Sequence, residues 1–249
     1  MSRIAVAGGT GTVGRHVIRA AQRAGHETVT ITRSTGIDLI TGVGLAAALE
    51  GVDVVIDVSS IATLSTRASI SFFDTVTRNL LAAERAAGVG HHVALSIVGA
   101  AKSTSGYYAG KAAQERLLMA SGDRWSILRA TQFHEFAAQM VGRGAMLGMI
   151  VVPKMLSQPV AAAEVGAELV RIAEGAPVGL AQDLGGPGVE RMADMVRRYL
   201  RASGRKGRVL EVRIPGSMGR VSADGSLLTG PDARRGTQTF DEWLEHAGA

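Results

Sequence analysis

Tyr107 and Lys111, four residues apart in YYAGKAAQERLLMA, are a pair of residue types able to do acid–base chemistry together. The chain holds only 3 Tyr and few Lys, and a Tyr followed by a Lys at this spacing arises by chance in about 5% of such chains. On a helix, four-residue spacing puts both side chains on one face. A free phenol titrates near ~10 and is a poor proton donor or acceptor at neutral pH; a neighbouring ammonium favours the phenolate and lowers that value. A phenol tuned in this way delivers a proton to a carbonyl oxygen while a nicotinamide delivers hydride to the carbon. Lys111 would also hold the nicotinamide ribose hydroxyls. Ser96, at the end of VALS, would hydrogen-bond the same carbonyl oxygen. Tyr108 becomes the acid if the helix register differs by one.

The second group with chemistry is VAGGTGTVGRHV, residues 6–17, which carries Gly8, Gly11 and Gly14 at spacing three. With 32 Gly in the chain, about half a match to G-x-x-G-x-x-G is expected by chance, so the context carries the weight. Gly8 supplies backbone angles closed to other residues. Gly11 lets the main chain approach a pyrophosphate, and Gly14 lets a following helix pack close. The N–H groups at that helix start, with the positive end of its dipole, hold the anion. Thr10 and Thr12 add hydroxyl donors, and Val13 completes the turn.

The ribose partner is read at the end of the next strand, in ITRST. A free 2′-hydroxyl meets an acid there, and a 2′-phosphate is better met by Arg. No acid is present; Arg33, followed by Ser34 and Thr35, offers charge-assisted bonds to a phosphate, with Arg15 beside it. NADP(H) is therefore expected over NAD(H). Asp38, in GIDLI, is placed to meet the adenine amino group. Val58, Ser59 and Ser60 close the strand GVDVVIDVSS and are expected to abut the cofactor.

These residues need elements to position them. RIAVA, residues 3–7, reads as a buried strand; apolar positions from Val13 to Ala24 recur at helical spacing and stop at Gly25; ETVTIT is a second strand. The glycines thus lie between a strand and a helix. GVDVVIDVSS, a helix over 66–87 stopped by Gly88, HHVALSIVGA, the helix of YYAGKAAQERLLMA and RWSILRA continue the alternation. An α/β protein follows, a Rossmann-type doubly wound parallel sheet with every strand end on one ligand-binding edge. Residues 1–133 form the NAD(P)-binding core, and 134–249 a small substrate lobe with elements returning to the core sheet, all one structural unit. In that lobe GMIVVP and VLEVRIP read as isolated strands. AAAEVGAELVRIAEG, VERMADMVRRYLRASG and TFDEWLEHA read as helices, the last capped by Thr239 or Asp241.

Composition excludes several classes. There is no Cys, hence no disulfide, zinc–thiolate site or cysteine nucleophile. No leader and no long apolar span is visible, so a cytoplasmic protein away from membranes is expected. The net charge is +5, and Arg197 to Arg220 is basic with only Glu211 opposing. That run lacks the interleaved aromatics of a stacking platform, so it reads as a solvated face and not as a nucleic-acid site. His91 and His92 adjoin on a strand and point to opposite faces, against metal ligation. His134 and Glu135 are candidate substrate contacts, and Met140, Met146, Met149 and Met155 are candidates to line an apolar pocket or fill a core. No GK[ST] follows the glycines and no G-x-S-x-G elbow occurs, against a nucleotide triphosphatase and an α/β-hydrolase.

The stretches GGTGTVG, LSIVGA, YYAGKAAQERLL and SILRATQFHEF, in this order, resemble the short-chain dehydrogenase/reductase superfamily, in its extended or atypical branch, and are most similar to NmrA-like NAD(P)-binding proteins. QPVAAAEVGAELV and TFDEWL resemble the same branch. The resemblance implies a Ser96–Tyr107–Lys111 active site. It also implies that Ala130, Thr131, Gln132 and Phe133 run beside the nicotinamide. The glycine spacing and the 11-residue gap from Ser96 to Tyr107 depart from the best-characterised reductases, and the branch includes members that bind cofactor without turnover. The expected function is an NADPH-dependent oxidoreductase reducing a carbonyl, enone or quinone of an apolar small molecule. A cofactor-sensing regulatory protein is the alternative, and a nucleotide-sugar epimerase or dehydratase the third.

Overall fold

The computed structural model describes residues 1–142 and 148–247. Strand β1 (Arg3–Ala7) is buried from Ile4 onward. Helix α1 (Gly14–Arg23) turns Val17 and Ala21 inward, and β2 (Glu27–Ile31) completes the first β-α-β unit. A single helical turn over Arg33–Thr35 precedes α2 (Leu45–Ala48) and β3 (Val54–Asp57). Helix α3 (Thr66–Ala87) runs from a Ser65 cap to a left-handed Gly88, the span its sequence predicts. Then come β4 (His91–Ile97), α4 (Gly106–Ala120) and β5 (Trp125–Ala130).

The second half contains α5 (Glu135–Gly142), β6 (Met149–Pro153), β7 (Leu156–Ser157) and α6 (Ala162–Ala173). Two-residue strands β8 (Gly179–Leu180), β9 (Leu184–Gly185) and β10 (Glu190–Arg191) lead into α7 (Met192–Ala202). The chain ends with β11 (Arg208–Val212), α8 (Gly216–Ala223), β12 (Arg234–Arg235) and α9 (Phe240–Ala247).

Among the described residues the main sheet has 8 strands in the order β12-β9-β5-β4-β3-β1-β2, with β8 also on β5. Every pairing in it is parallel. From β1 the chain steps outward to β2 and then crosses back to β3, so the direction of winding reverses at β1. That reversal opens a crevice at the strand carboxyl ends, where such sheets take ligands. Helices α1 and α6 cover one face, burying Val6, Val17, Leu95, Val165 and Leu169. Helices α2, α3 and α4 cover the other, over Val55, Val76, Leu80 and Ile127. The sheet is therefore buried on both sides, as its near-continuous apolar strands require.

The second half is divided between core and lobe. Helix α6 returns to the core and packs on α1 through Gly166, where a Cβ would come within 2.8 Å of the His16 main-chain carbon. The strands read as isolated are not so: β6 and β11 pair in parallel, and Ile150 and Val152 point into a lobe core with Met195, Val196 and Phe240. Thr239 caps α9, its hydroxyl accepting from the Glu242 N–H while the Glu242 carboxylate accepts from the Thr239 N–H. In the basic run, Arg197 pairs with Asp194 and Arg198 with Glu190 and Asp241. Arg201, Arg205, Lys206, Arg208, Arg213 and Arg220 are exposed. Among the described residues no helix is long and apolar enough to cross a membrane.

Candidate dinucleotide and active site

The glycine turn leaves β1 at the reversal point. Gly8 has φ +81°, and a Cβ on it would stand 2.9 Å from Ser59 Cα and from the Val58 carbonyl. A side chain at Gly14 would run into the Gly8 carbonyl, so only glycine lets α1 start this close to the turn. The Gly11 N–H closes the turn onto the Gly8 carbonyl at 2.9 Å. Among the described residues no side chain caps α1, its first turn holds no acid, and Arg15 stands exposed beside it. The turn is thus a cradle that a Cβ would fill, ending at a helix start whose dipole favours an anion. These residues fit a dinucleotide pyrophosphate. Val58 continues β3 by donating to the Ala7 carbonyl at 3.0 Å, which sets Ser59 and Ser60 against the turn.

At the end of β2 the Thr32, Ser34 and Thr35 hydroxyls are bonded among themselves: Thr32 Oγ1 to Ser34 Oγ at 2.8 Å, and Thr35 Oγ1 to the Thr32 carbonyl at 2.8 Å. This folds the turn tightly and leaves the Arg33 side chain exposed. Asp38 is occupied in its own loop, where Oδ1 accepts from the N–H groups of Ile40 and Thr41.

Tyr107 sits on the first turn of α4. Its oxygen accepts from Ser60 Oγ at 3.3 Å, and its ring meets the edge of Phe73 at 5.5 Å. Burial pushes the phenol up to about 12, the Ser60 bond opposing and Asp57 adding to the rise. The lowered phenol expected from an adjacent ammonium is not what the geometry produces. Lys111 is buried under α4 and turned toward the sheet: Nζ donates to the Leu95 carbonyl at 2.7 Å and to Gln114 Oε1 at 2.8 Å, and lies 4.2 Å over the Phe73 ring. Burial pulls it down to about 8 against the attraction of Asp57 and Glu115. Gln114 Nε2 donates in turn to Asp57 Oδ2 at 2.8 Å, and Asp57 Oδ1 accepts the Ser59 N–H at 2.8 Å.

Ser96 is not brought to the phenol. Its hydroxyl donates to Glu115 Oε1 at 2.6 Å, and Arg129 grips the same carboxylate with both nitrogens at 2.8 and 2.6 Å. Tyr108, the neighbouring phenol, faces the lobe and accepts from Gln132 Nε2 at 2.9 Å; burial raises it further than Tyr107. A polar row therefore lies between α4 and the sheet, from Asp57 through Gln114 and Lys111 to Ser96, Glu115 and Arg129. Its signal in the sequence was Gln114 and Glu115 at three and four residues beyond Lys111, plus an acid ending the apolar run VVID. Phe73 had no such signal.

Other candidates resolve differently. Ala130 is buried at the end of β5, Thr131 bonds the Gln158 carbonyl, and Phe133 bridges to Val160. His134 is fully buried, bonded to the Gln238 carbonyl and packed on Phe240 and Trp243; burial lowers its pKa. It docks α9. Burial raises Glu135, and the Trp243 side chain bonds it. Met140 and Met155 belong to the lobe core, Met149 is exposed, and Met146 lies outside the described residues. His91 bonds Ser126 and His92 bonds Glu84 across opposite faces of β4. Among the described residues no three His, Asp or Glu gather as metal ligands.

A glycine cradle at the reversal of a parallel sheet defines a Rossmann-type dinucleotide-binding protein. The NAD(P)H-binding family model matches residues 8–147, more than half of the chain, and the chain belongs to that family. Among solved structures it is similar to the NADPH-dependent quinone oxidoreductase QOR2 of Escherichia coli in complex with NADPH. That match has 18% identity, a TM-score of 0.74, and covers 98% of this chain and 99% of that one. It is also similar to the UDP-glucose 4-epimerase of Thermus thermophilus in complex with NAD, at 17% identity and TM-score 0.69, over 99% and 93% of the two chains. The UDP-N-acetylglucosamine 4-epimerase of Bacillus cereus matches at 17% identity and TM-score 0.70, over 100% and 96%. At these identities the likeness is one of fold. Among curated proteins none matches significantly.

Proposed function

We propose that the protein is an NADPH-dependent oxidoreductase that reduces a carbonyl, enone or quinone on an apolar small molecule. The observation that carries this reading is the Ser60–Tyr107 contact: Ser60 belongs to the loop pressed against Gly8, so a protonated phenol stands beside the cofactor crevice. Gly8 to Gly14, with Thr10, Thr12 and Val13, take the pyrophosphate. Arg33 and Ser34 take the 2′-phosphate, Asp38 faces the adenine, and Val58 to Ser60 with Ala130, Thr131 and Phe133 flank the nicotinamide end. When bound, the dinucleotide supplies hydride. Tyr107, kept protonated by burial, gives its proton to the substrate oxygen as hydride transfer turns that oxygen into a more basic alkoxide. Lys111, its Nζ bonded to Leu95 and Gln114 and lying over the Phe73 ring instead of reaching ribose hydroxyls, supplies a buried positive charge beneath it, and Ser96 completes the polar row.

The wild-type protein is expected to oxidise NADPH in the presence of members of a quinone and carbonyl panel, followed by NADPH absorbance. Tyr107→Phe should cut kcat by about 10²–10⁴-fold while leaving the cofactor Kd within twofold of wild type. Activity retained in Tyr107→Phe contradicts the reading. A second reading, a cofactor-sensing protein without turnover, is favoured by one observation: Lys111 is tied to Leu95 and Gln114 and not to the phenol. It expects no oxidation across the panel and partner binding that depends on NADPH. The epimerase reading ranks below both, because ITRST offers no carboxylate to the free 2′-hydroxyl of NAD.

A further inference from the structure

The hydroxyl expected to serve the phenol from the end of β4 is committed elsewhere. Ser96 is buried and donates to Glu115, whose carboxylate Arg129 holds with two further bonds. Withdrawing it would leave a buried carboxylate one donor short. Ser60 is in a different position. It is exposed, on the loop after β3, and its hydroxyl points at the Tyr107 oxygen, 3.3 Å away. That loop is held in register by the Ser59 N–H bond to Asp57, while the other Asp57 oxygen accepts from Gln114, the residue that binds Lys111. The phenol and the loop hydroxyl are therefore linked to the buried ammonium through the Ser59 main-chain N–H, Asp57 and Gln114.

We infer that Ser60 is the proton relay of this site, returning a solvent proton to Tyr107 each time the phenol gives its own away. The inference rests on the reading of Tyr107 as the acid. Per turnover one carbonyl becomes an alcohol, one NADPH becomes NADP⁺, and one proton is drawn from water. The Tyr107 O–H bond breaks as the substrate O–H forms. The Ser60 O–H bond then breaks as the phenol is restored, and water reprotonates the Ser60 oxygen. A hydroxyl donating to a phenol oxygen also favours its ionised form, so Ser60 lowers the cost of the momentary phenolate in a site where burial raises it.

The test incorporates fluorotyrosine and follows the 19F resonance of residue 107, assigned by its loss in Tyr107→Phe, through a pH titration. NADPH oxidation at saturating cofactor is measured in parallel. Ser60→Ala should raise the titration midpoint of that resonance by about half a pH unit or more and lower kcat about tenfold. Ser60→Thr, which keeps the hydroxyl, should restore both. Ser96→Ala should move the midpoint less than Ser60→Ala does. An unmoved midpoint in Ser60→Ala, or a larger shift in Ser96→Ala, overturns the relay. Absence of NADPH oxidation in every protein sinks the reductase reading instead, and the fluorine titration still decides whether Ser60 governs the phenol.

Discussion

Lys111 has a phenylalanine ring where most lysines have water. Burial pulls its pKa from 10.5 to about 8, so between those values the unfolded chain holds the proton more tightly than the folded one. Folding stability must then rise with pH from about 8, and below that value, where both states are protonated, this contribution is flat. Above about 10 the raised Tyr107 works the other way, since the folded state now keeps the proton longer. The urea midpoint of wild type should therefore gain on that of Lys111→Met between pH 8 and 10; parallel curves would show that the ammonium is solvated. At the cofactor's other end, Arg33→Glu should weaken NADPH at least about tenfold more than NADH, measured by titration. Equal losses would remove Arg33 from the phosphate. The spacing of Tyr107 and Lys111 was legible in the sequence, but the direction each side chain takes was not. The Lys111 acceptor is the Leu95 main-chain carbonyl, and carbonyls carry no side-chain signature.

Elements were legible in proportion to their length. Helix α3 could be read end to end because 22 residues show their period and Gly88 marks the stop. Strands β8, β9, β10 and β12 have two residues each, too few to show a period, and their pairing is decided by partners far along the chain. Helix α4 shows what an element contributes to the site. It packs on α3 through Gly110, where a Cβ would overlap Ser69 Oγ and reach Phe73, the ring under Lys111. Gly110→Ala should thus push the helices apart and destabilise by about 1–3 kcal/mol, lowering the thermal midpoint by several degrees. It should also slow turnover, because Tyr107 rides on the same helix. A midpoint unchanged from wild type would mean that α3 and α4 yield at no cost.

At the scale of the molecule the parallel sheet was legible from the strand–helix alternation, while the return of α6, β8, β9 and β12 to the core was expected only in outline. Returning elements are fixed by packing, such as Gly166 against His16, and not by local pattern. A ligand that binds only the folded chain stabilises it by about 2.7 kcal/mol at a hundred times its Kd, so NADPH should raise the thermal midpoint by several degrees, and further than NADH at equal concentration. The most direct measurement is a crystal structure of the protein with NADP⁺. It should show the pyrophosphate on the N–H groups from Gly8 to Gly14, the 2′-phosphate at Arg33 and the nicotinamide beside the Tyr107 hydroxyl. An empty glycine turn, or a nicotinamide ring remote from that hydroxyl, would contradict the account.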